Sequence, residues 1–219
     1  MVILGDRGEG KSTFAVKTAR ETYEEKKKIV SCIHLFGIEY EYMTLEEITK
    51  FPKSLNDSLL ITDELQEGAH AYDWMSKSSR DYVTLAGQLR KRHITWLILT
   101  QRMMNLPKRL RGQVDFIITI ERNEENENYT DCAVFNQRLD FFEREIPVNK
   151  FTYFRPSNYI HFDTDEVILK DRSELSDEGL VKQAIHEKWL EAKSKGLTYD
   201  YAREATKALK QYHKNKGLN

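Results

Sequence analysis

Cysteine is nearly missing from this 219-residue chain: Cys32 and Cys132 are all it has. They lie far apart and lack metal-ligand spacing, which argues against a disulfide framework or a zinc site and fits a reduced, intracellular setting. Proline is scarce too, with four residues, and neither a low-complexity linker nor an internal repeat divides the chain. No apolar stretch reaches the roughly 18 residues that a membrane-spanning helix needs, and no charged segment precedes Val2-Ile3-Leu4. A soluble protein without signal peptide or membrane span is therefore expected. An excess of one charge is absent as well: a net charge of -1 excludes a wholly basic surface. Any contact with nucleic acid must come from local patches. Two segments qualify: Arg90-Lys91-Arg92-His93 with Arg102, Lys108, Arg109 and Arg111, and the tail from Lys182 to Lys216. Either could equally be a solvated helix face.

What is present is an alternation of strands and helices. Val2 to Leu4 reads as a short strand ending at Gly5, and Lys11 to Lys26 as a helix with Phe14, Ala15, Thr18 and Tyr23 at helical spacing. Strand patterns follow at Ile29 to Phe36, Leu59 to Thr62, Ile94 to Thr100 and Val114 to Ile120, with a capped helical turn at Thr44 to Ile48 and a helix from Ser79 to Arg92. This alternation predicts an α/β fold with a mostly parallel sheet covered on both faces. After Arg122 the pattern changes to strand candidates near Thr130 to Gln137, Lys150 to Phe154 and Tyr159 to Phe162, which could extend the sheet in antiparallel fashion. The last 45 or so residues read as two helices parted by Gly196, with Thr198 a candidate cap. Val181, Ala184, Ile185 and Trp189 share a face of the first, and Leu197, Tyr201, Ala205, Ala208, Leu209 and Tyr212 line the second. The expected division is 1–170 for the main domain and 171–219 for a small helical appendage packed on it.

Chemistry concentrates at three strand ends. Gly5-Asp6-Arg7-Gly8-Glu9-Gly10-Lys11-Ser12, followed by Thr13, completes a phosphate-binding loop between a strand and a helix. Its glycines let successive N–H groups turn inward around anionic phosphate, Lys11 reaches the β- and γ-phosphates, and the Ser12 hydroxyl suits magnesium. Asp6 and Glu9 are acidic residues in an anion site, so their side chains should point outward, with Arg7 partly offsetting them. Asp63 ends an apolar strand and offers a hard oxygen ligand to Mg2+; Glu64 beside it suits the general base or water-positioning group. Without the upstream loop this pair would read as the opening of a solvated turn. Gln101 follows the strong strand ending at Thr100 and should emerge at the same edge, where an amide can bond both the γ-phosphate and the attacking water.

These residues, with Gln88-Leu89-Arg90-Lys91-Arg92 and Arg109-Leu110-Arg111 before Val114-Asp115-Phe116-Ile117, resemble the FtsK-HerA superfamily over roughly residues 1 to 122. More narrowly they resemble the compact genome-packaging ATPases of tailless double-stranded DNA viruses and related archaeal mobile elements. The resemblance implies a RecA-like (ASCE) sheet with the Gln101 strand between those leading to Lys11 and Asp63. It implies ATP and Mg2+ as ligands, a homo-oligomeric ring, often a hexamer, that translocates double-stranded DNA in the host cytoplasm or on the virion, and capsid proteins as partners. In such rings an arginine from one subunit completes its neighbour's site; Arg90, Arg92, Arg109 and Arg111 are the candidates, with Arg90 and Arg111 foremost. Two other readings stand: a filamentous-phage assembly ATPase related to the zonula occludens toxin proteins, and a nucleotide-gated binding module in which turnover is incidental.

Overall fold

A computed structural model describes residues 1–63, 77–139, 145–168 and 173–217. Strands β1 (Val2–Leu4), β2 (Lys28–Ser31), β3 (Glu41–Tyr42), β4 (Ser58–Asp63), β5 (Thr95–Thr100) and β6 (Phe116–Arg122) run parallel. β7 (Tyr129–Asn136) and β8 (Asn149–Phe154) continue antiparallel. Among the described residues they form one eight-stranded sheet in the order β3-β2-β4-β5-β1-β6-β7-β8. A separate pair, β9 (Val167–Ile168) and β10 (Ser173–Glu174), lies outside it. The helices are α1 (Lys11–Glu24), α2 (Leu45–Thr49), α3 (Lys77–Gln88), α4 (Lys108–Arg111), α5 (Asp177–Ser194) and α6 (Tyr201–Lys216). Among the described residues, none is long and apolar enough to cross a membrane.

The centre of the sheet is buried on both faces, which is why β4 and β5 read as continuous apolar runs with no alternation. Leu60, Ile61, Leu97 and Leu99 are buried, and the Trp96 indole N–H donates to Thr62 Oγ1 at 2.9 Å, so the polar groups in that layer are paired. Each such aliphatic side chain contributes about 1.5–3 kcal/mol by leaving water. At the periphery α2 begins with a reciprocal cap. The Thr44 hydroxyl accepts from the Glu47 N–H at 3.2 Å, while Glu47 Oε2 accepts from the Thr44 N–H at 2.8 Å.

Several elements are shorter than the sequence pattern predicts. The apolar run to Phe36 leaves the sheet after Ser31, whose hydroxyl bonds both the N–H and the carbonyl of Ile33 and so diverts the backbone from the ladder. The helix before β5 ends at Gln88 and not Arg92, and His93 takes a left-handed conformation in the turn. Tyr159 to Phe162 is not a strand: Pro156–His161 forms a 3-10 turn. Apart from His161 O, which accepts from the Phe36 N–H at 2.8 Å, its carbonyl groups are met by side chains. Lys182 Nζ donates to Tyr159 O and Phe162 O at 2.9 and 2.8 Å, and the Tyr201 hydroxyl to Ile160 O at 2.7 Å.

The same turn seats the C-terminal helices. Tyr201 and Ala205 of α6 pack with Phe36, flanked by Ile160, Ile185 and Trp189. His161 Nδ1 lies 2.7 Å from Phe36 O, and His186 Nδ1 accepts from the Gly37 N–H at 2.9 Å. Burial pushes both imidazoles down to about 4. Two expectations are corrected. Asp200, whose carboxylate accepts from the Arg203 N–H at 3.0 Å, caps α6 instead of Thr198, and Ala184 and Leu197 face solvent.

Candidate functional site

The parallel strands end at one edge, and the register fixes what meets there. Leu4 pairs with Thr100, and Asp63 pairs with Leu99. Gly5, Asp63 and Gln101 therefore emerge side by side, with β5 lying between β1 and β4. Gly5 has no room for a side chain, because a Cβ there would come within 2.7 Å of Ile120 O. Gly10 precedes α1 at φ 109, a conformation costly for any other residue, and a Cβ would press on the hydroxyls of Thr130, Tyr153 and Thr13. Between them the chain folds into a loop closed by the Glu9 N–H donating to Asp6 O at 3.3 Å.

Within the loop, the Lys11 ammonium donates to Gly5 O at 2.9 Å and Asp6 O at 3.0 Å, so its charge lies along the loop. The Ser12 hydroxyl donates to Asp63 Oδ2 at 3.4 Å. A hydroxyl and a carboxylate from the first turn of α1 and the end of β4 are a hard oxygen donor set, which fits Mg2+. The Asp63 N–H is held by Cys32 Sγ at 3.2 Å, and burial pushes the Cys32 thiol far above its ordinary value, so it stays a neutral brace beside the carboxylate. Gln101 is exposed at the lip of this edge. Glu64 lies outside the described residues.

Asp6 is exposed, and Glu9 turns outward as the sequence predicts, but Arg122 receives it in place of Arg7: the Glu9 carboxylate accepts from the Arg122 N–H, and the Arg122 guanidinium lies 3.4 Å from Gly8 O. Sequence reading also missed three residues in or just beyond the antiparallel strands that touch the loop. The Tyr153 hydroxyl donates to Gly10 O at 2.9 Å, Thr130 Oγ1 reaches Glu9 O at 3.5 Å, and Arg155 Nη2 donates to Gly8 O at 2.9 Å. Burial pushes the Tyr153 hydroxyl up to about 12, so it remains a donor. No motif marks these positions; only the β7–β8 pairing of Thr130 with Tyr153 brings them to the loop.

No protein-family model and no curated protein matches the sequence. Solved structures do. The N-terminal domain of zonular occludens toxin from Neisseria meningitidis superposes with a TM-score of 0.57 at 19% identity, covering 74% of this chain and 97% of that one. The fold is that of a RecA-like P-loop NTPase. The genome packaging NTPase of Sulfolobus turreted icosahedral virus 2, in complex with ATP-gammaS, overlaps at a TM-score of 0.49 and 12% identity, covering 69% and 95% of the two chains.

Among the described residues, none of the four candidate arginines is hydrogen-bonded to the phosphate loop. Arg90 and Arg92 lie in the turn leading into β5, at the edge opposite Gln101. A six-residue strand separates the two edges by about 20 Å. Arg92 is engaged there, donating through Nε to Asn56 Oδ1 at 2.7 Å and through Nη2 to Pro52 O. Arg111 is turned back on its own connection, with Nε on Leu106 O at 2.9 Å and Nη1 near Met104 Sδ. Arg90 and Arg109 are exposed. Of the basic tail, Lys182 does not belong to any surface patch: it is buried, with an ion pair to Glu178 at 2.7 Å. Arg203, Lys207, Lys210 and Lys214 are exposed and share one groove of α6 with Thr206 and Gln211.

Proposed function

We propose that the chain is an ATP-hydrolysing motor that moves double-stranded DNA, in the manner of a viral or mobile-element genome-packaging ATPase. The observation that carries the enzymatic half is the meeting of Ser12 and Asp63 at 3.4 Å beside a glycine loop that opens a helix, on a sheet where β5 separates the two motifs. In this reading residues Gly5 to Thr13 cradle the triphosphate, Lys11 neutralises charge on its β- and γ-phosphates, and Ser12 and Asp63 hold Mg2+. When bound, the cation supplies positive charge that stabilises phosphoryl transfer. Glu64 takes the proton of the attacking water, and Gln101 aligns that water with the γ-phosphate. Packaging, ring assembly and capsid contact rest on the sequence resemblance, with the exposed basic groove of α6 as support for a DNA contact.

A second reading is an assembly or export ATPase like the zonula occludens toxin proteins. The overlap with nearly the whole N-terminal domain of one of them favours it. Magnesium-dependent ATP turnover, measured with and without duplex DNA, tests both. Turnover that rises several-fold with duplex DNA is expected of the motor, and turnover indifferent to DNA would favour the second reading. In either case Lys11→Ala should abolish ATP binding; low-micromolar affinity surviving in that variant would remove the site assignment.

A further inference from the structure

The antiparallel extension of the sheet reaches the phosphate loop from behind. The cross-strand pair Thr130 and Tyr153 directs two hydroxyls at the carbonyls of Glu9 and Gly10, and Arg155, just beyond β8, extends the same contact to Gly8. Successive carbonyls of the loop are thus each held by a side chain of the hairpin. A peptide whose carbonyl accepts a hydrogen bond has a more polarised N–H, and in a phosphate loop the N–H groups are what face the anion.

Arg155 adds something a packing residue would not. It is 5% exposed, and among the described residues its buried Nε has no hydrogen-bond partner. Among the described residues no carboxylate forms an ion pair with it, whereas the other fully buried cation, Lys182, has Glu178. A buried guanidinium without an anion is costly, and this one stands against a loop built for phosphate. Its backbone is pinned, with the N–H donating to Asn128 O at 2.8 Å and the carbonyl accepting from Asn158 at 2.9 Å, and the buried side chain is held by Gly8 O.

We infer that Arg155, braced by Tyr153 and Thr130, is a positioning residue for the nucleotide phosphates: it fixes the Gly8 peptide in its phosphate-binding shape and places a permanent positive charge behind the loop. The inference rests on the nucleotide-site reading above. Its effect falls on binding, because a charge fixed behind the loop acts on ground state and transition state alike.

The full chain is assayed for Mg2+-dependent ATP turnover and for affinity toward a fluorescent ATP analogue, as parent and as Arg155→Met, Arg155→Lys and Tyr153→Phe, with thermal melting of each and Lys11→Ala as reference. Arg155→Met is expected to raise KM and Kd for ATP at least about tenfold with kcat changed less than about threefold, and Arg155→Lys to recover most of the loss. Tyr153→Phe, which removes one hydroxyl and leaves no cavity, is expected to raise KM about two- to fivefold. Parental KM in Arg155→Met overturns the inference, as does equal impairment of the Met and Lys variants, which would mean that shape and not charge is required. If Arg155→Met does not fold, the Tyr153→Phe result decides, and an unchanged KM there overturns it. Should Lys11→Ala retain parental affinity, the nucleotide-site reading itself has failed. Loss of binding in Lys11→Ala with none in a folded Arg155→Met defeats only the role of Arg155.

Discussion

Ser12 and Asp63 are 51 positions apart in the chain and bring one oxygen each within 3.4 Å, because the end of β4 and the start of α1 lie at one edge of a parallel sheet. That convergence makes the residue after Asp63 in the sequence chemically interesting: in the proposed function Glu64 is the base that takes a proton from the water attacking the γ-phosphate. A general base typically contributes about 10² to 10⁴ in rate. Glu64→Gln keeps the size and hydrogen-bonding capacity of the side chain and removes only its basicity, so it should bind ATP as the parent does and hydrolyse it at least about a hundredfold more slowly. Single-turnover kinetics together with analogue binding check this; turnover within about threefold of the parent would take the base role from Glu64.

The elements that carry the phosphate loop and Asp63 were legible because their signals are local. A glycine loop between an apolar run and a helical pattern, and an apolar run ending in Asp63-Glu64, need no tertiary information. The capping box of Thr44 and Glu47 was legible for the same reason. The errors lie where tertiary partners override local pattern: Tyr159 to Phe162 has strand-like composition, but Lys182 and Tyr201, distant in sequence, satisfy its carbonyls as a turn. The hairpin contacts of Arg155 and Tyr153 were invisible because register, not composition, creates them. Helix α6 is an intermediate case. Its three-to-four spacing predicts a basic stripe of Arg203, Lys207, Lys210 and Lys214 opposite Tyr201, Ala205, Ala208 and Tyr212; the four basic residues are exposed, Tyr201 and Ala205 are buried with Leu209, and Ala208 and Tyr212 are half-buried. Among the described residues no carboxylate pairs with these four, so the stripe is free to meet phosphates without reading sequence. Replacing Lys207, Lys210 and Lys214 by Ala should weaken duplex binding and flatten its salt dependence, with log K against log salt changing slope by up to about 0.9 for each lost phosphate contact. An unchanged slope with intact ATPase activity would leave α6 as a packing element or a contact for another protein.

At the scale of the whole molecule, the seam between the helical layer and the sheet is held by two neutral histidines. The unfolded chain binds a proton at each near pH 6.5, and the folded chain does so only near pH 4. The contribution of these two histidines should therefore be level above pH 6.5 and fall as pH drops from 6.5 toward 4, by up to about 3 kcal/mol for His161, which is 7% exposed, and by less for half-buried His186. Urea unfolding at pH 7.5, 6 and 5 reads this directly, and a flat series would contradict it. The second consequence at this scale concerns assembly. Among the described residues none of the four candidate arginines donates a hydrogen bond to the phosphate loop of its own chain; Arg92 is occupied with Pro52 O and Asn56 Oδ1 of the connection before β4, and Arg111 with Leu106 O of its own connection. Arg90 and Arg109, being exposed, are the two that a neighbouring subunit could receive at its γ-phosphate. If the proposed ring forms, specific ATPase activity should rise with protein concentration, because the donated charge exists only in the assembly. Mixing Lys11→Ala protein, which keeps its arginines, with an Arg90→Ala or Arg109→Ala protein, which keeps its phosphate loop, should restore activity that neither has alone. Arg92→Ala and Arg111→Ala should instead lower the melting temperature, since each removes side-chain hydrogen bonds that join chain segments. Activity that is independent of concentration, with no rescue in any mixture, would mean that each subunit completes its own site.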